Sequence, residues 1–140
     1  MASVKGVNFT NITADPVVNA DSGEWSGKLR VQFDTFEASS LASGSDISVA
    51  RLPSGAKVYD VAIHHDALGS GVTLAVGDSA DADRYITATA AANAGVISMH
   101  NDGAIGGVGF EQTAETDILI TTGGAAATGT ITCMVFYVVE

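Results

Sequence analysis

The segment Lys28-Leu29-Arg30-Val31-Gln32-Phe33-Asp34 alternates polar and apolar residues without a break. Successive side chains of a strand point to opposite faces, so this period of two predicts a half-buried β-strand with Leu29, Val31 and Phe33 on one face. The pattern returns along the chain. Asp46 to Leu52 reads as a second strand with Ile47 and Val49 inward, ended by the Pro53-Ser54-Gly55 turn. Lys57 to His65 reads as a third, with Tyr59, Val61 and Ile63 on one face. Val72 to Val76 reads as a fourth, with Val72, Leu74 and Val76 aligned. Arg84–Thr89, Val96–Met99 and Asp117–Thr121 are shorter strands. Ile131 to Val139 is apolar on both faces, which implies a central position in a sheet or one face against a partner. Ala88–Ala94 favours helix but spans about two turns, enough for one helical turn only with tertiary support.

Glycine-rich and acidic stretches separate these runs: Ser39–Ser45, Leu68–Gly71, Gly77–Asp83, Asn101-Asp102-Gly103, Gly106–Gly109 and Gly123–Gly129. Short strands recurring about every 8–12 residues with turns between them indicate a sandwich or barrel. Eight strands in two packed sheets would be jelly-roll-like. Residues 28–140 therefore read as one all-β sandwich domain. Residues 1–27 read differently: Val4, Val7, Phe9 and Ile12 are spaced by polar residues, and Asp15-Pro16 and Asp21-Ser22-Gly23 are turn signals. They form an extended N-terminal arm with one short strand at most, closed by Trp25, the single tryptophan. Trp25 is either a lid on the core or an anchor on a neighbouring subunit, since tryptophan is enriched at interface hot spots.

The chain of 140 residues has 16 acidic and 6 basic side chains, a formal net charge of −10. Such a surface repels phosphate backbones and anionic lipid, so neither nucleic acid nor membrane is an expected partner. Met1 to Thr10 has no apolar segment of the signal-peptide type. The hydrophobic fraction is 46%, but only 6% is aromatic and much of the rest is alanine. Small side chains bury little area each, so a domain built on them would gain by burying surface against copies of itself.

Candidate chemistry is sparse. His64-His65-Asp66 is the one cluster of imidazoles, yet adjacent strand residues face opposite ways and cannot easily share a metal. His100 could approach either. Asp78, Asp81 and Asp83 form the densest carboxylate group, but no glycine stands at the sixth place of an EF-hand and no glutamate at the twelfth. Turn formation and an ion pair with Arg84 are the expected role. Cys133, the lone cysteine, is expected as a buried small hydrophobe. No nucleophile motif, zinc-protease motif or P-loop occurs. No cofactor, metal or catalytic residue is expected.

The ordered series Ile47 to Val58, with its Leu52-Pro53-Ser54-Gly55-Ala56 turn, then His65-Asp66-Ala67-Leu68-Gly69, Val72 to Asp78 and Asp81 to Ile86, resembles small virion proteins of tailed bacteriophages, the capsid cement or decoration proteins. The resemblance covers about residues 28–140 and is clearest in the middle third. It implies a β-sandwich that sits on the outer surface of the head as a homotrimer, bound to the major capsid protein and stabilising neighbouring subunits. The host cytoplasm would be the site of synthesis and the virion the destination. The arm residues Val7, Phe9, Ile12 and Trp25 are then the expected contacts with capsid or neighbouring subunits, and the outward face of Ile131–Val139 the expected seam of the trimer. Two alternatives compete. One is a tail, head-fibre or baseplate component. The other is a cupin-like metalloenzyme, for which the three histidines are poorly spaced.

Overall fold

The computed structural model describes residues 2–101 and 107–139. The turn expected at Asn101-Asp102-Gly103 and the start of the Gly106–Gly109 stretch fall partly outside them. Eight strands form two antiparallel sheets: β1 (Arg30–Leu41), β2 (Asp46–Leu52), β3 (Ala56–His65), β4 (Thr73–Gly77), β5 (Ile86–Ala90), β6 (Gly95–Ser98), β7 (Thr116–Gly123) and β8 (Ala127–Val139). Sheet A runs β1-β8-β3-β6 and sheet B runs β2-β7-β4-β5. The order is nested: first strand pairs with last, second with seventh, third with sixth, fourth with fifth. The chain is thus an all-β sandwich, as its periodicity predicts.

The core lies between the sheets. Leu52, Val61, Ile63, Leu74, Ile118, Ile120, Ile131 and Val135 are sealed from solvent. It is a core of branched aliphatic side chains, with alanine in a minor share, so the alanine content predicted a poorer core than the fold has. β8 is central, flanked by β1 and β3; Ile131, Cys133, Val135 and Tyr137 are buried on its inner side, and Met134 and Phe136 lie half-buried on the outer one. A bulge between Val58 and Asp60 shifts the register of β3 against β8. Val58 thereby joins Val61 and Ile63 in the core, and Tyr59, expected there, is half-buried elsewhere.

Three other expectations change. Leu29, Val31 and Phe33 do not face the core. Val31 pairs with Phe136 and Phe33 with Met134, on the outer side of sheet A, while Gln32, Asp34, Phe36 and Ala38 take the inner side. Residues 88–94 form no helical turn: Thr73 pairs with Ala90 and Leu74 with Thr89, so strand pairing to β4 overrides a short helix propensity. In the N-terminal region, Val7–Ile12 form a six-residue helix, α1, where a short strand was the expectation. The hydroxyls of Thr10 and Thr13 donate to the carbonyls of Gly6 and Phe9 and support it locally. Among the described residues no helix is long and apolar enough to cross a membrane.

Candidate interaction surface

The two outer faces of the sandwich are unlike. On sheet B, Asp46 accepts from the Thr121 hydroxyl, and Arg51 pairs with Asp117 at 2.6 Å through Nε. On sheet A, cross-strand register sets Val31 beside Phe136 and Phe33 beside Met134. Beyond β8, Met134 meets Ala62, and on the far edge His64 meets Val96. Phe33 is 65% exposed, Val31 53% and Val96 56%. Leu29, just before β1, is exposed too. This is the apolar stripe the alternation marked, turned outward. Contiguous apolar surface left open on a soluble protein marks a place where another surface binds. Toward its lower end the face turns polar: Thr35 and Thr132 hydroxyls bond at 3.2 Å, and Thr130 donates to Glu37.

One end of the same face is already covered, by the N-terminal segment. Lys57 is 6% exposed and pairs with Asp21 at 2.8 Å and Glu24 at 3.3 Å, with Glu111 at 4.0 Å. The Tyr59 hydroxyl donates to the Gly23 carbonyl at 2.8 Å, and Asn8 of α1 donates to Glu24 at 3.0 Å. A buried ammonium needs such partners, because an unpaired one would be costly to desolvate. Glu24 is held below the usual carboxylate range, first by the Asn8 amide and then by Lys57. The alternation K-V-Y marked this stretch as strand but gave no sign that Lys57 is the fastening point.

Of the four arm residues, the structure brings Phe9 and Trp25 together. Their rings meet edge-on at 6.3 Å, and both stay accessible. Ile12, three residues after Phe9 on α1, is half-buried. Val7 stands apart and is exposed. Trp25 is 41% exposed, so it does not lid the core.

The acidic loop holds itself. Asp78 is buried, accepts from the N–H groups of Ala80 and Asp81 at 3.0 Å, and pairs with Arg84 at 2.8 Å. The Arg84 guanidinium also stacks over the Phe110 ring, 3.9 Å from its centre. That is the turn and ion pair the sequence implies. Among the described residues no group of three His, Cys, Asp or Glu stands close enough to hold a metal ion. His64 and His65 do face opposite ways, one exposed and one buried. His100 bonds the Tyr59 carbonyl at 2.9 Å and stands 3.4 Å from Asp60. Burial pushes the Cys133 thiol up to about 12, so it is not a nucleophile at neutral pH. The depression between β5 and β6, about 390 Å³, is lined by Ile86, Thr87, Thr89, Val96, Ile97, Ser98 and Asn101, without an acid or base.

These features define a class: a small two-sheet antiparallel sandwich with one polar face, one open apolar face and an N-terminal segment fastened at the edge of the latter. Solved structures place the chain more narrowly by fold. It is similar to a chain of the cyanophage Pam1 capsid asymmetric unit, with 24% identity over 87% of this chain and 90% of that one, and a TM-score of 0.66. A chain of the capsid of Ralstonia phage GP4 gives 19% identity, 81% and 86% coverage and a TM-score of 0.65. A chain of the acid-stable capsid of Helicobacter pylori bacteriophage KHP30 gives 12%, 81% and 90%, and 0.54. No family model and no curated protein matches the sequence.

Proposed function

We propose that this chain is a structural protein of a phage head, a cement protein that binds the outer capsid surface and bridges neighbouring copies of the major capsid protein. The observation that carries this reading is a fold shared along nearly the whole chain with chains from phage capsid structures. The nested strand order, read as a jelly roll, fits it. So do an open apolar sheet face and an N-terminal segment with accessible Phe9 and Trp25. On this reading Val7, Phe9, Ile12 and Trp25 touch capsid or a neighbouring subunit, and the protein works by burial rather than by catalysis. Each contact contributes about 25 cal/mol per Å² of apolar surface removed from water. Because the protein binds the assembled lattice and not free subunits, it stabilises the lattice by mass action. A net charge of −10 keeps unassembled copies soluble and off nucleic acid. Assembly as a homotrimer, with the outer face of β8 in its seam, belongs to the same reading.

The test is the copy number of this chain relative to the major capsid protein in purified virions, by quantitative mass spectrometry. Near-equal numbers support a coat on the head lattice. A handful per particle transfers the chain to the tail or a single vertex, and absence from the virion overturns the reading.

A further inference from the structure

We propose that β1 is a self-pairing edge: two copies of this chain join β1 to β1, antiparallel, across a two-fold axis at Gln32. The two sheets have four edge strands, β1, β6, β2 and β5. β5 and β6 are five and four residues long, too short to template much. The free edge of β2 is bridged by Gln32, whose side-chain amide donates to the Arg51 carbonyl at 2.7 Å and accepts from the Arg51 N–H at 2.8 Å. β1 has twelve residues and an open edge. Among the described residues, no backbone group outside β8 pairs with residues 30–38.

Two observations show which residues point along that edge. The Thr35 N–H is taken by its neighbour Asp34 at 2.8 Å, not by β8. The N–H and carbonyl of Thr130, opposite Glu37, both go to Asp66 on the other side. Bonding direction alternates along an antiparallel strand, so Val31, Phe33, Thr35 and Glu37 turn their backbone groups outward.

A two-fold at Gln32 then sets Val31 opposite Phe33 of the second copy, twice, as hydrogen-bonded pairs. It also sets Arg30 opposite Asp34 of the second copy, twice, on the inner side. Neither charge has an ion-pair partner within the chain among the described residues. Moving the axis to Phe33 puts Leu29 opposite Glu37 and Arg30 opposite Phe36; moving it to Val31 sets Arg30 opposite Gln32 and leaves Asp34 opposite Lys28, which lies outside β1. The sequence Arg-Val-Gln-Phe-Asp is thus complementary to itself read backwards, in charge and in apolarity, and that picks a second copy as the occupant. The contact does not rest on the capsid reading, since free copies would form it. It also differs from a three-fold seam and can coexist with one.

The experiment is sedimentation equilibrium on the full chain and on Arg30→Asp, Asp34→Arg and the double variant. Expected is a species with an even number of copies. Each single variant should weaken it about tenfold or more, because two attractive cross-strand pairs become repulsive. The double variant, with its signs exchanged, should restore it. A wild type that is monomeric at every concentration reached, or a bare trimer, overturns the proposal. So do single variants without effect, or a double variant as weak as the singles. Gln32→Cys adds an independent readout. Facing cysteines at a non-hydrogen-bonded pair lie within disulfide reach, about 4.5 Å between Cα atoms, and should cross-link under mild oxidant. Cys133, buried, stays out of it. A dimer that fails to cross-link there overturns the register.

Discussion

Lys57 shows how one side chain decides where a segment goes. Its ammonium is buried at the end of sheet A, and Asp21 and Glu24 reach it from the N-terminal segment. Lys57→Met keeps the aliphatic stem and removes the charge. Asp21 and Glu24 can rehydrate, so the expected cost is at the low end of the range for an unpaired polar group, about 1–2 kcal/mol. The diagnostic change is faster amide exchange over residues 21–25, with the strands of sheet B unaffected. Asp78 is the second such residue. Burial alone would raise its pKa, but the Arg84 guanidinium and the N–H groups of Ala80 and Asp81 outweigh it and hold the carboxyl below its usual range. Glu24 and Asp117 are lowered too, by Asn8 with Lys57 and by Arg51 respectively. A depressed folded pKa contributes stability that is complete above the unfolded value, about 3.9 for aspartate, and lost as pH falls through the folded value. The thermal midpoint should therefore stay level from pH 7 to about 5 and drop below about pH 4. Asp78→Asn should lower the midpoint at pH 7 and flatten the acid limb; an unchanged acid limb would assign the loss to other carboxylates.

At the scale of the element, β1 and β4 separate exposure from hydrophobicity. Both alternate apolar residues, yet β4 is buried throughout its apolar positions while the apolar residues of β1 at positions 31 and 33 face solvent. Phe33→Ser should change the chain's stability by no more than about 0.5 kcal/mol, as surface changes do. Leu74→Ala, at a sealed position, should cost about 2–5 kcal/mol. Chemical denaturation of dilute protein measures both. A large loss for Phe33→Ser under those conditions would mean that sheet A's outer face is packed in the isolated chain. The bulge in β3 belongs to this scale as well. It moves Tyr59 off the core face and leaves its hydroxyl free to hold Gly23, which strict alternation could not provide.

For the whole molecule, the fastening at Lys57 makes two deletions unequal. Removing residues 1–20 takes away α1 but leaves Asp21, Gly23 and Glu24 in place. That variant should unfold near the midpoint of the full chain and, on the capsid reading, no longer bind heads in a co-sedimentation assay. Normal binding would exclude the helix from the contact. Removing residues 1–27 also takes Asp21 and Glu24, which strips Lys57 of two carboxylates and uncovers the end of sheet A where Val138 is buried. Its midpoint should fall well below that of the shorter deletion. An N-terminal region that is expendable to both cuts would mean that the Lys57 cluster contributes little.

What the sequence determined by itself was the alternation, and with it the strand count, the all-β class and the turns at Pro53–Gly55 and Gly77–Asp83; for β8 it left a central place and a face against a partner as alternatives. These follow from local rules: side chains alternate along a strand, and proline, glycine and aspartate mark where it stops. An ion pair between Arg84 and the Asp78, Asp81 and Asp83 group was legible for the same reason; that Asp78 is the buried partner only the fold decides. Only the tertiary structure decided which way each apolar face points. Leu29, Val31 and Phe33 have the pattern of a core strand, and nothing local distinguishes inward from outward; pairing with Phe136 and Met134, more than a hundred residues later, does so. The nested order of the sheets, the anchoring of Asp21 and Glu24 on Lys57, and the helix at Val7–Ile12 were likewise out of reach. Each depends on contacts between residues far apart in the chain, or, in α1, on hydroxyl-to-carbonyl bonds that no hydrophobic period records.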